Sequence, residues 1–254
     1  MVLRTFWGLI LLGGFLSPNL RAQESLQDSS IRMIFLDVSY RGQWPGGDMR
    51  ERYGFTSALG MDVSLKARNN FYLSTGFHFL FSDSVNLEGA LDPLLVPGGL
   101  IITDNGLLTD VRIIQNGLLI PLSVGKVFPF IGRHNKNSGL YVEAGVQFLQ
   151  HKINITPRDE VVTALDGEYA KGYDRLTSGF GLRQSIGYRY IDNKGYVNLR
   201  IGLDFSQNFT QSRRSVDFST GRGDTRQRRD FLTGFMVSWT FPLFNRAPDA
   251  AYYY

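Results

Sequence analysis

From residue 31 to residue 244 the chain keeps returning to a two-residue period. Phe55, Leu59, Met61, Val63 and Leu65 share one parity, while Thr56, Ala58, Gly60, Asp62, Ser64 and Lys66 fill the other. The alternation recurs at Leu140, Val142, Ala144, Val146 and Phe148, at Val197, Leu199, Ile201, Leu203 and Phe205, and at Phe235, Val237, Trp239, Phe241 and Leu243. A period of two puts alternate side chains on opposite faces of a strand. Eight such segments can be marked, at about 31–40, 53–66, 71–81, 108–127, 139–153, 177–190, 196–210 and 230–244. Between them, 41–52, 82–107, 154–176 and 211–229 are long, 67–70 and 191–195 short, and 128–138 intermediate. Long loops alternating with short turns are the mark of an outer-membrane barrel, and an even strand count puts both termini on the short-turn, periplasmic side. Past residue 22 no apolar stretch approaches 18 residues without Gly, Pro or charge, which excludes a helical membrane protein.

The second parity decides which face is inside. A water-soluble barrel of the lipocalin or streptavidin kind would turn its apolar parity inward. Here the other parity carries Gly60, Gly76, Gly125, Gly145, Gly179, Gly181, Gly187, Gly202 and Gly234. Beside them stand Asp37, Asp62, Lys66, His78, Glu143, Arg183, Arg189, Arg200 and Asp204. Soluble surfaces favour long polar side chains over this much glycine. Small residues and ions of both signs suit a narrow lumen whose charges compensate one another. Tyr40, Phe71, Phe81, Tyr188, Tyr190, Phe241 and Phe244 fall near strand ends, as interfacial aromatic girdles do. The expected fold is all-β, an eight-stranded antiparallel up-and-down transmembrane β-barrel with a filled polar lumen. A soluble ligand-binding β-barrel is the alternative. Ten strands, splitting 98–127 at Asn105-Gly106 and Asn116-Gly117, would need strands shorter than the roughly 9–11 residues a membrane strand requires. Eight strands leave an interior that side chains fill, which argues against a conductance pore.

The first 22 residues read as an address. Arg4 supplies a positive start, Phe6 to Leu16 an apolar run too short to span a bilayer, and Leu20-Arg21-Ala22 a small-residue exit. The expected layout is a cleaved signal peptide at 1–22, an N-terminal periplasmic segment at 23–30, the barrel at 31–244 and a periplasmic tail at 245–254. The signal ending Ala22-Gln23, the Ile120-Pro121-Leu122-Ser123-Val124-Gly125-Lys126 strand and the aromatic Tyr252-Tyr253-Tyr254 terminus resemble small outer-membrane β-barrels of the Bacteroidota. Their architecture is that of OmpA- and OmpX-type barrels, with PorT-like proteins in the same broad class. The resemblance implies an outer-membrane location and, through PorT-like members, a link to the type IX secretion and gliding apparatus. One departure is that Asn245 to Tyr254 follow the last strand, so either Phe244 or Tyr254 would serve as the terminal assembly signal.

Composition narrows the chemistry. The formal charge of +4 falls to +2 once Arg4 and Arg21 are set aside, which gives nucleic-acid binding no support. With no Cys there is no disulfide, thiolate metal site or thiol nucleophile. H-E-x-x-H, G-x-S-x-G and phosphate-cradling glycine motifs are missing. His134 falls in a short-side turn, and His78 and His151 fall on the inward parity, where they read as hydrogen-bonded lumen residues. A lipid A-modifying enzyme would need His151 to meet Ser82 or Ser84 and Asp83 near the rim. No catalytic, cofactor or metal residue is therefore assigned.

Two loops carry the interaction readings. The 211–229 loop holds Arg213, Arg214, Arg222, Arg226, Arg228 and Arg229 against two Asp. Guanidinium forks suit phosphate oxygens, so lipopolysaccharide contact is one reading and a solvated charged loop the other. The Arg222-Gly223-Asp224 tripeptide is too short to carry an adhesion role. The 82–107 loop contains Leu87, Leu91, Leu94, Leu95, Val96, Leu100, Ile101, Ile102 and Leu107, too apolar for a free surface. Asp104-Asn105-Gly106 within it is a hairpin signal. The loop must be covered, either by its own barrel as a lid or by another envelope protein, and the expected cover is the protein partner, docking through Leu94, Leu95 and Ile101. The expected function is a non-enzymatic structural or interaction role, as an accessory of an envelope assembly.

Overall fold

Each of the eight alternating segments forms a strand, and the strands close on one another. In the computed structural model, which describes residues 30–86, 91, 94–96, 98–130, 135–158, 162–193, 197–218 and 220–243, the chain runs through β1 (Met33–Gly47), β2 (Thr56–Lys66) and β3 (Phe71–Ser82). Three short strands follow, β4 (Leu95–Val96), β5 (Leu100–Ile102) and β6 (Leu108–Thr109). The long strands then resume as β7 (Val111–Phe128), β8 (Gly139–Pro157), β9 (Thr177–Ile191), β10 (Asn198–Ser212) and β11 (Gln227–Leu243). Residues 1–22, expected to be a signal peptide, together with 23–29, Leu87, His134, Phe244 and 245–254, lie outside the described residues.

The eight long strands pair antiparallel in the closed order β1-β11-β10-β9-β8-β7-β3-β2, and the three short ones make a separate small sheet. Closure is made by β1 on β11, in register from Ile34↔Leu243 to Gly47↔Asp230. No edge is left around the ring itself. The ten-strand alternative fails because β7 runs unbroken through Asn116-Gly117, whose residues stay paired with Lys152 and His151. Asn105-Gly106 does turn, but between the short strands β5 and β6: Thr103 N–H donates to Leu107 O at 2.8 Å, and Gly106 has φ +80°.

One interruption in the ring has a covalent cause. Pairing of β3 with β7 lapses at Gly76 and Phe77, between Thr75↔Leu122 and His78↔Leu119. The gap lies opposite Pro121, which has no N–H to donate. The Thr75 hydroxyl donates to the Pro121 carbonyl at 2.9 Å and so satisfies a group on the lipid-side wall.

Two strands outrun the expected bounds. β1 continues seven residues past Tyr40 although Gly42, Pro45, Gly46 and Gly47 read as breakers. Beyond Gln43 it pairs with β11 alone, so Pro45 sits on a local edge where a missing donor is tolerated. β8 continues past His151, its last partner on β9, and with β7 forms a two-stranded ribbon that ends at Val111↔Pro157.

The apolar parity faces out and the polar parity faces in. Leu203, Val146 and Trp239 are 52%, 48% and 44% exposed, while Asp37, Arg189 and Arg200 are fully buried. That arrangement overturns the soluble-barrel alternative, whose apolar face would be inside. Glycine makes room for the large lumen residues: a Cβ at Gly125 would stand 2.3 Å from the Tyr72 ring, and one at Gly202 2.2 Å from the Tyr141 hydroxyl. The lumen is polar along its length, with an apolar cluster set into it at each end. Ile31, Met33, Phe35 and Ile191 close the end that carries the termini. Met49, Tyr53, Leu80, Leu149, Ile153 and Leu232 fill the opposite, loop end. Met49 and Tyr53 come from the loop between β1 and β2, so that loop folds into the mouth as a stopper.

Candidate functional site

Inward parity on six strands converges on one chain of alternating charges. Arg189 Nη2 donates to Asp37 at 2.8 Å, and Arg200 Nη1 lies 3.6 Å from the same carboxylate. Arg200 Nη2 also reaches Glu143 at 2.5 Å, and Glu143 takes Arg183 Nη1 at 2.5 Å. Arg183 continues to Asp204 at 2.8 Å, Asp204 to Arg41 at 3.0 Å, and Arg41 to Asp62 at 3.1 Å. His78 ends the chain, its Nε2 2.9 Å from Asp62 Oδ1. Hydroxyls of Thr240 and Tyr72 donate to Asp37 and Glu143 at 2.5 and 2.9 Å. Arg189 stacks 4.1 Å above the Phe35 ring and Arg200 4.3 Å above Tyr141. Four guanidiniums thus meet four carboxylates, and the set is formally neutral. Buried ions survive only when each is paired and hydrogen-bonded. Each ion here meets at least one opposite charge, although the Nε of Arg41, Arg183, Arg189 and Arg200 finds no acceptor.

Of the nine lumen residues expected from parity, eight belong to this chain of charges. Lys66 does not. It is buried at the terminal end, where its Nζ donates to Ser30 Oγ, the Ile31 carbonyl and Asn137 Oδ1 at 2.9, 3.1 and 3.0 Å. Arg41, the link between Asp62 and Asp204, is absent from that expectation because the strand is read as stopping at Tyr40. The signal is present, since Asp37, Ser39, Arg41 and Gln43 keep one parity straight through Gly42. A second polar set lies nearer the loops. His151 Nδ1 is 3.2 Å from the Tyr53 hydroxyl and Nε2 3.2 Å from Asp230, which also accepts from Thr210 at 2.5 Å. Ser82, proposed as a partner for His151 in an enzyme, donates instead to the Phe55 carbonyl at 2.6 Å. Among the described residues no group of three His, Asp or Glu could hold a metal ion.

The apolar loop is covered in part by its own chain. Ile101 is buried with Leu91 against Val162, Leu165 and Tyr173 of the loop between β8 and β9, and Leu94 and Leu95 pack half-buried on the same cluster. The three residues expected to dock a partner therefore line a self-packed cap. Asp104 fastens it by accepting from Thr163 Oγ1 at 2.5 Å and from Thr163 N–H at 3.1 Å.

The arginine-rich loop is also largely engaged. Arg213 donates to Ser178 Oγ at 2.8 Å, and Arg214 pairs with Asp174 at 2.5 Å. Arg226 pairs with Asp48 at 2.6 Å, and Arg228 with Asp224. Arg222 and Arg229 stay exposed. Two basic residues outside that loop, Arg52 and Arg175, join Arg226 and Arg228 around a cleft of about 490 Å³ in the loop end. Burial lowers the Arg52 pKa, and Arg228 and Arg175 beside it lower it further. Burial pushes the Asp224 carboxyl up, but the hydrogen bonds from Arg228 and the Arg226 N–H, with the charges of Arg228 and Arg52, together outweigh it and hold that carboxyl below its usual range. No pattern in the sequence marks Arg52 or Arg175, because each is a lone base in a mixed loop.

A closed antiparallel barrel with an apolar exterior and a self-neutralised charged core is a transmembrane β-barrel of the small, filled kind. Among the described residues no helix is long and apolar enough to cross a membrane, so any crossing is by strands. No protein-family model and no curated protein matches the sequence. Several solved outer-membrane barrels are similar in shape. The N-terminal β-barrel domain of Pseudomonas aeruginosa OprF is 10% identical, with a TM-score of 0.39 over 83% of this chain and 98% of that one. OprG from the same organism is 10% identical, with a TM-score of 0.38 over 87% and 100%. A major outer membrane protein of Thermus thermophilus is 11% identical, with a TM-score of 0.41 over 83% and 99%. The barrel and its inside-out polarity stand on the register and burial above, not on these likenesses.

Proposed function

We propose that the chain is a non-conducting outer-membrane anchor that holds a folded cap of loops at the cell surface, with its termini in the periplasm. The observation that carries this reading is the closure of the lumen at three levels: apolar at the terminal end, ion-paired in the middle, apolar again at the mouth. Side chains that interlock this way leave no water path, and they make the barrel a rigid base for whatever the loops present. The orientation is supported by loop length, since residues 67–70 and 192–197 connect strands at the terminal end and long segments connect them at the other. The role is one of interaction and not of catalysis, supported by the self-contained hydrogen bonding of His151. An accessory place in an envelope assembly such as secretion or gliding machinery accords with the PorT-like resemblance. Ile102, Leu107 and Leu108 remain exposed on the cap for a protein partner, and Arg222 and Arg229 for lipopolysaccharide. Reconstitution in planar bilayers tests the closure: the expected record is a flat baseline across the voltage range, and stepwise currents of uniform size would end the anchor reading. Mild detergent extraction tests the interaction: a protein that co-purifies with the wild type should be lost on Ile102→Asp with Leu108→Asp. Unchanged recovery from that variant would remove the cap from the interface.

A further inference from the structure

We propose that the cleft at the loop end is a binding site for a phosphate group carried on a sugar. Four guanidiniums surround it, and they arrive from three separate places in the chain: Arg52 ahead of β2, Arg175 ahead of β9, and Arg226 and Arg228 on either side of the first residue of β11. Such convergence is unlike a charged loop extended into solvent, where bases repel and spread. Arg52 and Arg228 are each 8% exposed, so neither is a free surface base. They share one counter-ion, Asp224, whose Oδ2 lies 3.6 Å from Arg52 Nη2 and accepts from Arg228 Nη2. The Arg228 Nε is buried and has no hydrogen-bond partner, as is true of the Nε of Arg41, Arg183, Arg189 and Arg200 in the lumen, but Arg228 is the one of these five that lines the cleft. A buried donor of that kind is costly unless something accepts from it.

Two further observations point to a ligand. Arg175 holds φ at +46°, a conformation an L side chain adopts at a cost, and its Nε donates to Asp217 Oδ2 at 3.1 Å, which fixes its guanidinium at the cleft wall. Burial lowers the Arg52 pKa most, and the charges of Arg228 and Arg175 lower it further, a repulsion that a bound anion would relieve. A tetrahedral phosphate offers several oxygens to planar guanidinium forks, a match that a single carboxylate such as Asp224 makes only in part. The volume selects the carrier. About 490 Å³ is far more than a bare phosphate fills and lies in the range of small-ligand sites. The remaining lining is Glu51, Asn86, Asp217 and Thr220, so the cleft keeps a net charge of +1 from its four Arg and three acids and is polar throughout, which suits sugar hydroxyls rather than an acyl chain. Asp224 is the aspartate of the Arg222-Gly223-Asp224 tripeptide, and its engagement with Arg52 and Arg228 turns it inward, away from any adhesion partner.

The test is calorimetric titration of the detergent-solubilised barrel with glucose 6-phosphate, with glucose as the uncharged control. Glucose 6-phosphate should bind and glucose should not, with affinity falling as salt is raised. Arg52→Gln and Arg228→Gln should each weaken binding about tenfold or more, since a charge-assisted bidentate contact is lost. Band shift on unboiled gels reports whether each variant is folded. Arg226→Gln, at an exposed position, keeps the test open if the buried variants do not fold, and it should also weaken binding. Purified lipopolysaccharide and its dephosphorylated form separate the two sources of phosphate. Competition by the first alone assigns the site to the cell's own surface lipid, and no competition assigns it to soluble sugar phosphates. Equal heats for glucose and glucose 6-phosphate, or binding untouched in every folded variant, would overturn the proposal.

Discussion

Arg41 shows how much a single lumen position carries. It bridges Asp62 and Asp204, and so joins the β1–β2 side of the ring to the charges on β9 and β10. Any break in this chain leaves an ion desolvated without its partner. Glu143→Gln, which deprives Arg183 and Arg200 together, should cost about 3–5 kcal/mol of barrel stability. The cost would be read as a lower urea midpoint for the heat-modifiable band. A midpoint equal to wild type would mean that the ions are hydrated and the lumen is open to water. The outward parity answers to a different solvent. Leu203→Arg, on the exposed face of β10, should cost about 2–4 kcal/mol by placing a charge in hydrocarbon, and should be neutral if that face meets water. These assignments are legible in sequence because period two sorts residues by face without knowing their neighbours. Lys66 and Arg41 mark where that sorting ends. Parity says which way a side chain points but not which ions it will meet, and Gly42 and Pro45 obscure a strand whose pairing on β11 holds it straight.

At the level of elements, the 83–110 segment illustrates what composition can and cannot supply. Its aliphatic content demands cover, and Ile101 finds it on Val162, Leu165 and Tyr173 of the neighbouring loop. A sequence cannot name that partner, because the two segments meet only once the barrel has set their spacing. Ile101→Asp should lower the stability of the cap by about 2–5 kcal/mol, the usual range for losing a buried aliphatic side chain. Limited proteolysis should then nick the loop while the barrel band still shifts on boiling. Equal resistance in the variant and wild type would place the cover elsewhere. The clasp between Asp104 and Thr163 adds a pH dependence. The Thr163 hydroxyl, then its N–H, hold the Asp104 carboxyl below its ordinary value. A depressed carboxylate contributes stability above the ordinary pKa of about 3.9 and loses it as pH falls through the depressed value. The Thr163 amide resonance should therefore stay unmoved down to the ordinary aspartate range and shift only below it. A midpoint at the ordinary value, or no change in Asp104→Asn, would mean that the clasp does not form.

For the whole molecule, eight strands with an inverted polarity make lipid the solvent that fits the outside, and among the described residues the loop end carries the polar cleft and the exposed cap. Strand number, direction and polarity follow from the repeated alternation. The loop-end cleft does not, since its arginines are scattered through the sequence and are gathered only by ring closure. Trp239 gives the most direct test of the polarity. It points outward from β11 and is 44% exposed, and the other tryptophans in the chain are Trp7 and Trp44. With those two replaced by Phe, the barrel is reconstituted in vesicles of ordinary lipid and of lipid brominated on the acyl chain. An indole that faces hydrocarbon should emit in the blue and be strongly quenched by bromine. Emission typical of water, unchanged by brominated lipid in a folded barrel, would contradict the inside-out assignment on which the account rests.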